Sequence, residues 1–299
     1  MNKAVLTALF TLIPILCAAS NPPRITLILS SEQQVYQRVA DSIKSSLETT
    51  VTIEEHTLDS IDGMQTPPEI ILTVGSAAFK KALERFHSLP VIASFLPRRV
   101  YEKMVKSSSS ALQNTTAIFI DQPMKRQLSL ARLLTPSGTT IGTVFGASSI
   151  SERQRLFNAA QETGFTVNSV VLNSNDNPVN TLQPIIQKAD VFLAIPDQSA
   201  FNRASAKWSL FIALRLKKPL IGFSEKYVDA GALASLYSSP EQIGQHAAET
   251  LNTYLTTNLL PPPEHPKYFT VKVNQTSAKT IGIQIDNAEV IQQQLGGYH

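Results

Sequence analysis

Short apolar runs alternate with amphipathic stretches along most of the chain, and this alternation constrains the fold more than any other feature. "RITLILSS" has the branched residues of a buried strand, and from Val35 to Leu47 an apolar residue recurs at every fourth position, as in a helix. "EIILTVGS" and "LPVIASFL" repeat the strand pattern, with the helical stretch "AAFKKALERFHS" between them. Strands that are almost continuously apolar and alternate with helices predict a parallel sheet covered on both faces.

The same alternation begins a second time after the Ser-rich stretch "KSSSSALQNTT". Apolar runs at "TTIGTVFGASS" and "DVFLAIP" are again separated by helical patterns, among them Ser199 to Leu216, in which we expect Trp208 to be buried. The sequence therefore predicts an α/β fold of two doubly wound parallel-sheet lobes with a cleft between them. We expect an N-terminal lobe at 20–115, a C-terminal lobe at 116–255 and a crossover tail at 256–299, with the chain passing between lobes near 111–123.

The first nineteen residues are typical of a secretory signal peptide. Lys3 precedes an apolar stretch from Ala4 to Leu16, and small residues follow it. The apolar stretch is short for a membrane span, which favours cleavage and a periplasmic protein over an anchored one. Cys17 is the only cysteine, and bulky Leu16 beside it argues against lipid attachment. Cleavage after Ala19 would leave a mature chain without thiols or disulfides.

Composition and motifs exclude several functional classes. The chain has 26 Lys and Arg against 23 Asp and Glu, a formal net charge of +3, which predicts neither nucleic acid nor an anionic membrane as a partner. The five His residues have no ligand spacing, so we expect no metal and no cofactor. No nucleophile elbow, phosphate loop, dinucleotide fingerprint or zinc-protease motif is present, and the sequence therefore favours binding over catalysis.

Candidate ligand-binding residues lie where the predicted strands end. In open parallel sheets, ligands bind beyond the carboxyl ends of the strands, where backbone N–H groups at helix starts and short hydroxyls suit an anion. The residues that we expect to line the cleft are Ser30, Ser31, Gly75, Ser76, Phe95, Asp121, Gly146, Ala147, Ser148, Asp197, Gln198, Phe223 and Ser224.

Most of these residues also have a structural interpretation. Asp197 either hydrogen-bonds a ligand amine or caps the following helix, since Asp is preferred at that position. Gly75 and Ser76 either hold a ligand carboxylate on their N–H groups or let the chain turn into its helix. Asp121 lies at a lobe crossover, where it either contacts ligand or steadies the hinge. Phe95 and Phe223 either stack on an apolar ligand or belong to the core.

Two long segments resemble a known family. "NTTAIFIDQPMKRQLSLARLLTPSGTTIGTVFG" and "ADVFLAIPDQSAFNRASAKWSLFIALRLKKPLIGFSEKYVDAGALASLYSSPEQIGQHAAETL" are similar to segments of the TrpX-like substrate-binding proteins of ABC transporters, and the ending "FTVKVNQTSAKTIGIQI" resembles theirs. The resemblance implies the type I periplasmic-binding-protein fold, a small-molecule ligand between the lobes and an ABC permease in the inner membrane as partner. It also implies a monomer without catalytic residues.

The sequence leaves two functional hypotheses open beside a minor third. The leading one is a periplasmic solute-binding protein that closes by hinge motion on its ligand. The alternative is an envelope sensor or accessory protein that kept the fold without transport, because the turns at Gly75 and Asp197 depart from the family pattern. A secreted hydrolase is the third, and the absence of catalytic motifs disfavours it.

Overall fold

A computed structural model describes residues 22–64, 67–108 and 114–296. The expected signal peptide at 1–19 and Cys17 lie outside these residues. None of the described helices combines the length and the apolar character needed to cross a membrane.

The first lobe is built on a parallel sheet with the strand order β2-β1-β3-β4-β5. Its strands are β1 (Arg24–Leu29), β2 (Thr52–Thr57), β3 (Ile70–Val74), β4 (Val91–Leu96) and β5 (Thr115–Phe119). Its first three helices are α1 (Gln34–Ser45), α2 (Ser76–Arg85) and α3 (Arg98–Lys106). The central strands are buried along nearly their whole length because helices cover both faces, whereas the edge strand β2 is half exposed.

The second lobe is built on a mixed sheet with the strand order β11-β10-β9-β8-β6-β7. Its strands are β6 (Thr140–Phe145), β7 (Thr166–Val171), β8 (Val191–Leu193), β9 (Leu220–Gly222), β10 (Ala234–Tyr237) and β11 (Thr270–Val273). Its helices are α4 (Met124–Leu134), α5 (Arg153–Glu162), α6 (Pro178–Lys188), α7 (Arg203–Arg215), α8 (Glu225–Asp229), α10 (Gln275–Ile281) and α11 (Ala288–Leu295). All pairings are parallel except that of the last strand, β11, which runs antiparallel to β10.

The lobe boundaries differ from those predicted. β5 pairs with β4 and therefore belongs to the first sheet, although the predicted boundary at 115/116 assigned it to the second lobe. Helix α9 (Pro240–Thr257) also belongs to the first lobe, because Ile243, Ala247 and Leu251 share a core with Val39 of α1. Local hydrophobic patterns identify a strand or a helix but not the sheet that it joins, which is why these two elements were misplaced.

The chain passes between the lobes at three places, at 120–123, 238–239 and 258–269. The second passage ends at a well-defined helix start. Ser239 and Gln242 form reciprocal hydrogen bonds between side chain and backbone, and Pro240 occupies the first turn, so α9 begins directly after the crossover. The crossovers thus consist of short segments held between packed elements.

Three features of the fold depart from the sequence prediction. Helix α3 and strand β10 were not predicted, because "PRRVYEKM" is rich in charge and β10 is only four residues long. Trp208 was expected to be buried, yet 42% of its surface is exposed. Helix α7 buries the face that carries Ser205, Ser209 and Ile212 instead, and it leaves Trp208 on the surface.

Candidate functional site

The first-lobe wall of the predicted cleft is the turn from β3 into α2. Gly75 has a φ of +92°, and a side chain there would place its Cβ 2.5 Å from Ser30 Oγ, so only glycine fits the turn. Ser30 Oγ accepts a hydrogen bond of 2.9 Å from the N–H of Ala78. The N–H groups of Ser76 and Ala77 have no hydrogen-bond partner in the described part of the chain. Two free donors at the start of a helix form a position for an anionic group.

An aromatic pair lies beside this turn. The rings of Tyr36 and Phe95 meet edge to face with centroids 5.7 Å apart, and a Cβ at position 75 would lie 2.7 Å from Tyr36 Cε1. Phe95 is the next-to-last residue of β4, lies at an irregularity in strand pairing and has a φ of +58°, in the region that favours glycine. Such backbone strain costs about 1 to 3 kcal/mol and concentrates at functional sites. The first lobe therefore combines free N–H donors with a strained, partly exposed aromatic ring.

The second-lobe wall is the loop that follows β6, and Asp197 holds it in place. One Asp197 carboxylate oxygen accepts hydrogen bonds from Ser199 N–H (2.7 Å), Ser199 Oγ (2.6 Å) and Ala200 N–H (3.0 Å). The other oxygen accepts from Ser149 N–H at 2.7 Å. Burial alone would raise the pKa of Asp197, but these hydrogen bonds outweigh it and hold the pKa well below its usual range.

Asp197 is not the cap of α7. The side chain of Asn202 caps that helix by accepting hydrogen bonds from the N–H groups of Ala204 and Ser205. The Asp197 carboxylate instead joins the loops after β6 and β8, where a Cβ at Gly146 would lie 2.3 Å from Ser199 Oγ. Its oxygen atoms are thus engaged within the protein, and the neighbouring Gln198 is exposed.

Asp121 lies at the first crossover between the lobes. Its carboxylate accepts a hydrogen bond of 2.7 Å from the N–H of Arg98, at the start of α3, and its carbonyl accepts one of 2.8 Å from His265 Nδ1. Burial raises the pKa of Asp121 to about 6, against the opposing effect of the Arg98 N–H. Next to it, Gln122 Nε2 donates to Ser238 Oγ at 2.7 Å. All three crossovers therefore meet in one hydrogen-bonded hinge.

Charged side chains join the lobes directly. Arg98 on α3 contacts Glu152 of the second lobe at 2.8 Å, and Arg155 on α5 contacts Glu102 of α3 at 2.8 Å. Arg155 also contacts Glu152 at 3.0 Å, and the Glu152 side chain is only 7% exposed. This interlobe ion cluster was not predicted, because nothing in the sequence indicates which charges face each other across the cleft.

The remaining predicted residues fall in three different places. Ala147 and Ser148 line a cavity of about 1450 Å³ between the loop after β6 and helices α2 and α3. Phe223 and Ser224 line a separate groove of about 690 Å³ on the second lobe. Ser31 lies next to Ser30, where its Oγ accepts a hydrogen bond of 3.4 Å from the N–H of Gln33. Of the predicted residues, only Ala147 and Ser148 thus line the cavity between the lobes, and Phe223 and Ser224 lie in a groove of the second lobe alone.

The sequence and the structure were compared with known proteins. Residues 24–294 match the model of a family described as ABC transporter substrate binding protein. A comparison with curated protein sequences gives no significant match.

Several solved structures have a similar fold. One is an ABC domain in complex with L-Trp from Streptococcus pneumonia, with 17% identity, coverage of 91% of this chain and 98% of that chain, and a TM-score of 0.61. Another is a ligand-free, open substrate-binding protein with adhesive properties from Clostridium difficile, with 16% identity, coverage of 89% and 97%, and a TM-score of 0.71. A conserved domain protein from Vibrio cholerae has 19% identity, coverage of 91% and 98%, and a TM-score of 0.62.

Proposed function

Because the chain belongs to the ABC transporter substrate-binding protein family, we propose that it binds a small molecule between its two lobes and delivers it to an ABC permease in the inner membrane. The observation that supports this proposal is the pair of N–H groups at Ser76 and Ala77, which have no partner among the described residues and lie at the end of strand β3. Parallel sheets bind ligands at these strand ends. The family match favours transport over the accessory alternative.

We infer that the ligand carries a carboxylate and an aromatic ring. The free N–H groups of Ser76 and Ala77 suit the carboxylate, and the edge-to-face pair of Tyr36 and Phe95 offers an apolar surface beside them. Two proteins of similar fold agree with this chemistry. One is in complex with L-Trp, and a solute-binding protein from R. palustris, with 9% identity, coverage of 80% and 81% and a TM-score of 0.54, is in complex with 4-hydroxybenzoate.

The predicted site residues take different roles in this proposal. Ser30, Gly75, Ser76 and Phe95 form the first-lobe contact surface, and Gly146, Ala147 and Ser148 face it from the second lobe. Asp197 acts through the loop that it holds, because its oxygen atoms already accept four hydrogen bonds. The positions that we retain as peripheral to the ligand are Ser31, Asp121, Gln198, Phe223 and Ser224.

Closure occurs by hinge motion at the three crossovers. The hydrogen bonds of Gln122 and Asp121 keep the crossovers together, and the ion pairs of Arg98 with Glu152 and of Arg155 with Glu102 hold the lobes in contact. We propose that the ligand and this ion cluster act together, because both bridge the same two lobes.

The family match also supports a proposal for the cellular location and the oligomeric state of the protein. We propose that residues 1–19 direct the chain to the periplasm and are cleaved, and that the mature protein works as a monomer beside its permease. It performs no catalysis in this account, because family members are binding proteins.

The test is a calorimetric binding series with L-Trp, L-Phe, L-Tyr, benzoate and 4-hydroxybenzoate, with ribose as a neutral control. Ser76 is the first residue of α2, where proline is tolerated, so Ser76→Pro removes one free N–H while leaving the helix in place. Ser76→Ala is the matched control, because it removes the hydroxyl and keeps the N–H. We expect at least one aromatic carboxylate to bind and Ser76→Pro to weaken it by about 10- to 100-fold, the value of one hydrogen bond to a charged group.

Two outcomes would overturn parts of this proposal. If ribose binds and none of the carboxylates does, the inferred ligand chemistry is wrong while a transport role stands. If Ser76→Pro and Ser76→Ala have equal effects, the N–H of Ser76 does not hold the ligand.

A further inference from the structure

The second lobe carries an apolar groove between α7 and α8, of about 690 Å³. We call it the α7–α8 groove. Its volume is within the range of small-molecule sites in proteins, about 300 to 1,000 Å³. Its apolar walls consist of Phe201, Ala206, Leu210, Phe211, Leu214, Phe223, Tyr227 and Ala230. The side chains of Phe211 and Leu214 are 53% and 44% exposed, so this apolar surface is open to solvent.

The charged residues of the groove lie at one end. Arg203 is the first residue of α7, Lys207 lies one turn further along, and Lys226 is in the first turn of α8. At the other end, Leu214 in the last turn of α7 shares a small adjoining cavity with Gly231, just after α8. The distance from Arg203 to Leu214 is roughly three helical turns. The lining of the groove itself is therefore cationic at one end and apolar at the other, and Lys218 lines the small adjoining cavity beyond the apolar end.

The three cations have no partner among the described residues. No Asp or Glu lines the groove, and the side chains of Arg203, Lys207 and Lys226 form no ion pair or hydrogen bond in the part of the chain that the structure describes. The nearest acid in sequence, Glu225, is paired with Lys272 at 2.8 Å. An anionic group at this end would meet three cations without displacing an existing partner.

A buried tyrosine also lines the groove. Tyr227 is only 8% exposed, and its ring lies 4.8 Å from that of Phe223 between centroids. Its hydroxyl oxygen is buried without a hydrogen-bond partner among the described residues, so the ring of Tyr227, and not its hydroxyl, forms part of the apolar wall.

We propose that the α7–α8 groove is a second binding site, outside the interlobe cleft, for an anionic amphiphile: a monomeric molecule with a carboxylate on a linear alkyl chain. The carboxylate of the ligand lies among Arg203, Lys207 and Lys226, and its alkyl chain extends along Leu210 and Leu214. Charge complementarity selects an acid over an alcohol or an amine, and the position of the cations at one end of the groove sets the direction of the alkyl chain. This site is independent of the proposed cleft ligand.

The test uses sodium dodecanoate at pH 8, below the concentration at which it forms micelles. Trp208 is the only tryptophan, and its ring lies 5.8 Å from that of Phe211 in the groove, so its fluorescence reports occupancy. We expect saturable binding with a change in Trp208 emission, confirmed by calorimetry. Dodecyltrimethylammonium, which has the same chain and the opposite charge, is expected to bind at least about tenfold more weakly.

Variants at the two ends locate the site. Leu214→Asp places a charge at the apolar end, and Arg203→Glu with Lys207→Glu reverses the charge at the other end. All three substituted residues are exposed, so folding is preserved in both variants. We expect each variant to weaken dodecanoate binding by about tenfold or more. The control is Lys188→Glu with Lys279→Glu, which makes the same change in net charge at two exposed lysines that do not line the groove, and we expect it to leave binding unchanged.

Further variants separate this site from the cleft. Tyr227→Phe keeps the ring on the groove wall and is expected to change neither dodecanoate binding nor the unfolding midpoint, because the hydroxyl that it removes is buried and has no partner among the described residues. Ser76→Pro is expected to leave dodecanoate binding unchanged. Equal binding to wild type and to both groove variants would overturn the proposal, as would loss of dodecanoate binding in Ser76→Pro. Binding to anionic vesicles with no binding of monomeric dodecanoate would also overturn it.

Discussion

Replacement of Asp197 by alanine tests how the second-lobe wall is built. The carboxylate of Asp197 accepts four hydrogen bonds, from Ser199 N–H, Ser199 Oγ, Ala200 N–H and Ser149 N–H. Alanine removes all four acceptor contacts and leaves three backbone donors in a loop from which water is partly excluded. The substitution therefore releases the loop after β6 from the loop after β8.

The expected loss of unfolding free energy is about 3 kcal/mol. A hydrogen bond to a charged group contributes about 1.5 to 3 kcal/mol, and an unsatisfied buried donor costs about 1 to 3 kcal/mol, but these terms do not add fully because Ser199 can reach water. Asp197→Asn keeps one acceptor oxygen and should lose about half as much.

The pH dependence of this loss has a definite sign. The folded-state pKa of Asp197 lies below its unfolded value of 3.8, so its stabilisation is present above that value and fades as the pH falls below it. The difference between wild type and Asp197→Ala should therefore be constant from pH 5 to pH 8 and shrink in more acidic solution.

The assay is reversible urea denaturation followed by Trp208 fluorescence, because this single tryptophan lies in the same lobe as Asp197. Asp176→Ala is the matched control, since Asp176 accepts a hydrogen bond of 2.7 Å from Asn173 N–H in an exposed turn, and it should cost less than about 1 kcal/mol. Unchanged stability of Asp197→Ala, combined with a tenfold weaker affinity for an aromatic carboxylate, would refute this reasoning and place the carboxylate in direct contact with the ligand.

Two further perturbations test the hinge and the contact between lobes. Glu152→Gln removes the ion pairs with Arg98 and Arg155 at 2.8 and 3.0 Å. It should weaken the contact between the lobes by about 1 to 2 kcal/mol and raise the radius of gyration measured by X-ray scattering. Glu162→Gln, at an exposed pair within the second lobe, should change neither the contact energy nor the radius of gyration. Asp121→Asn should stabilise the protein at pH 7.5 by up to about 3 kcal/mol, because burial raises the pKa of Asp121 to about 6 and penalises its charged form above that pH. This gain in stability should vanish near pH 4. Thermal unfolding of both proteins at the two pH values measures it.

The sequence predicts the architecture better than the assignment of elements to lobes. Each apolar run from "RITLILSS" to "KPLIGFS" forms a strand, because a fully buried strand needs an apolar side chain at almost every position. The sheet that a strand joins depends on partners far away in sequence. For this reason β5 and α9 were assigned to the second lobe although they pack in the first.

The candidate site is predictable only in part. Strand ends can be located from the sequence, and Gly75 was identified because glycine is needed where φ is positive. The strained φ of Phe95, its contact with Tyr36 and the ion pairs of Glu152 arise only from three-dimensional packing. Trp208 shows the same limit, since an amphipathic pattern does not reveal which aromatic residues the buried face of a helix will leave exposed.

The most direct test of a ligand held between closing lobes is small-angle X-ray scattering of the purified protein with and without the tightest-binding aromatic carboxylate of the series. We expect saturation with this ligand to lower the radius of gyration, because the lobes approach each other about the hinge at Asp121 and Gln122. We also expect Ser76→Pro to abolish the change at the same ligand concentration. Saturable binding in calorimetry, with identical scattering curves for the free and the saturated protein, would show that the lobes do not close on the ligand.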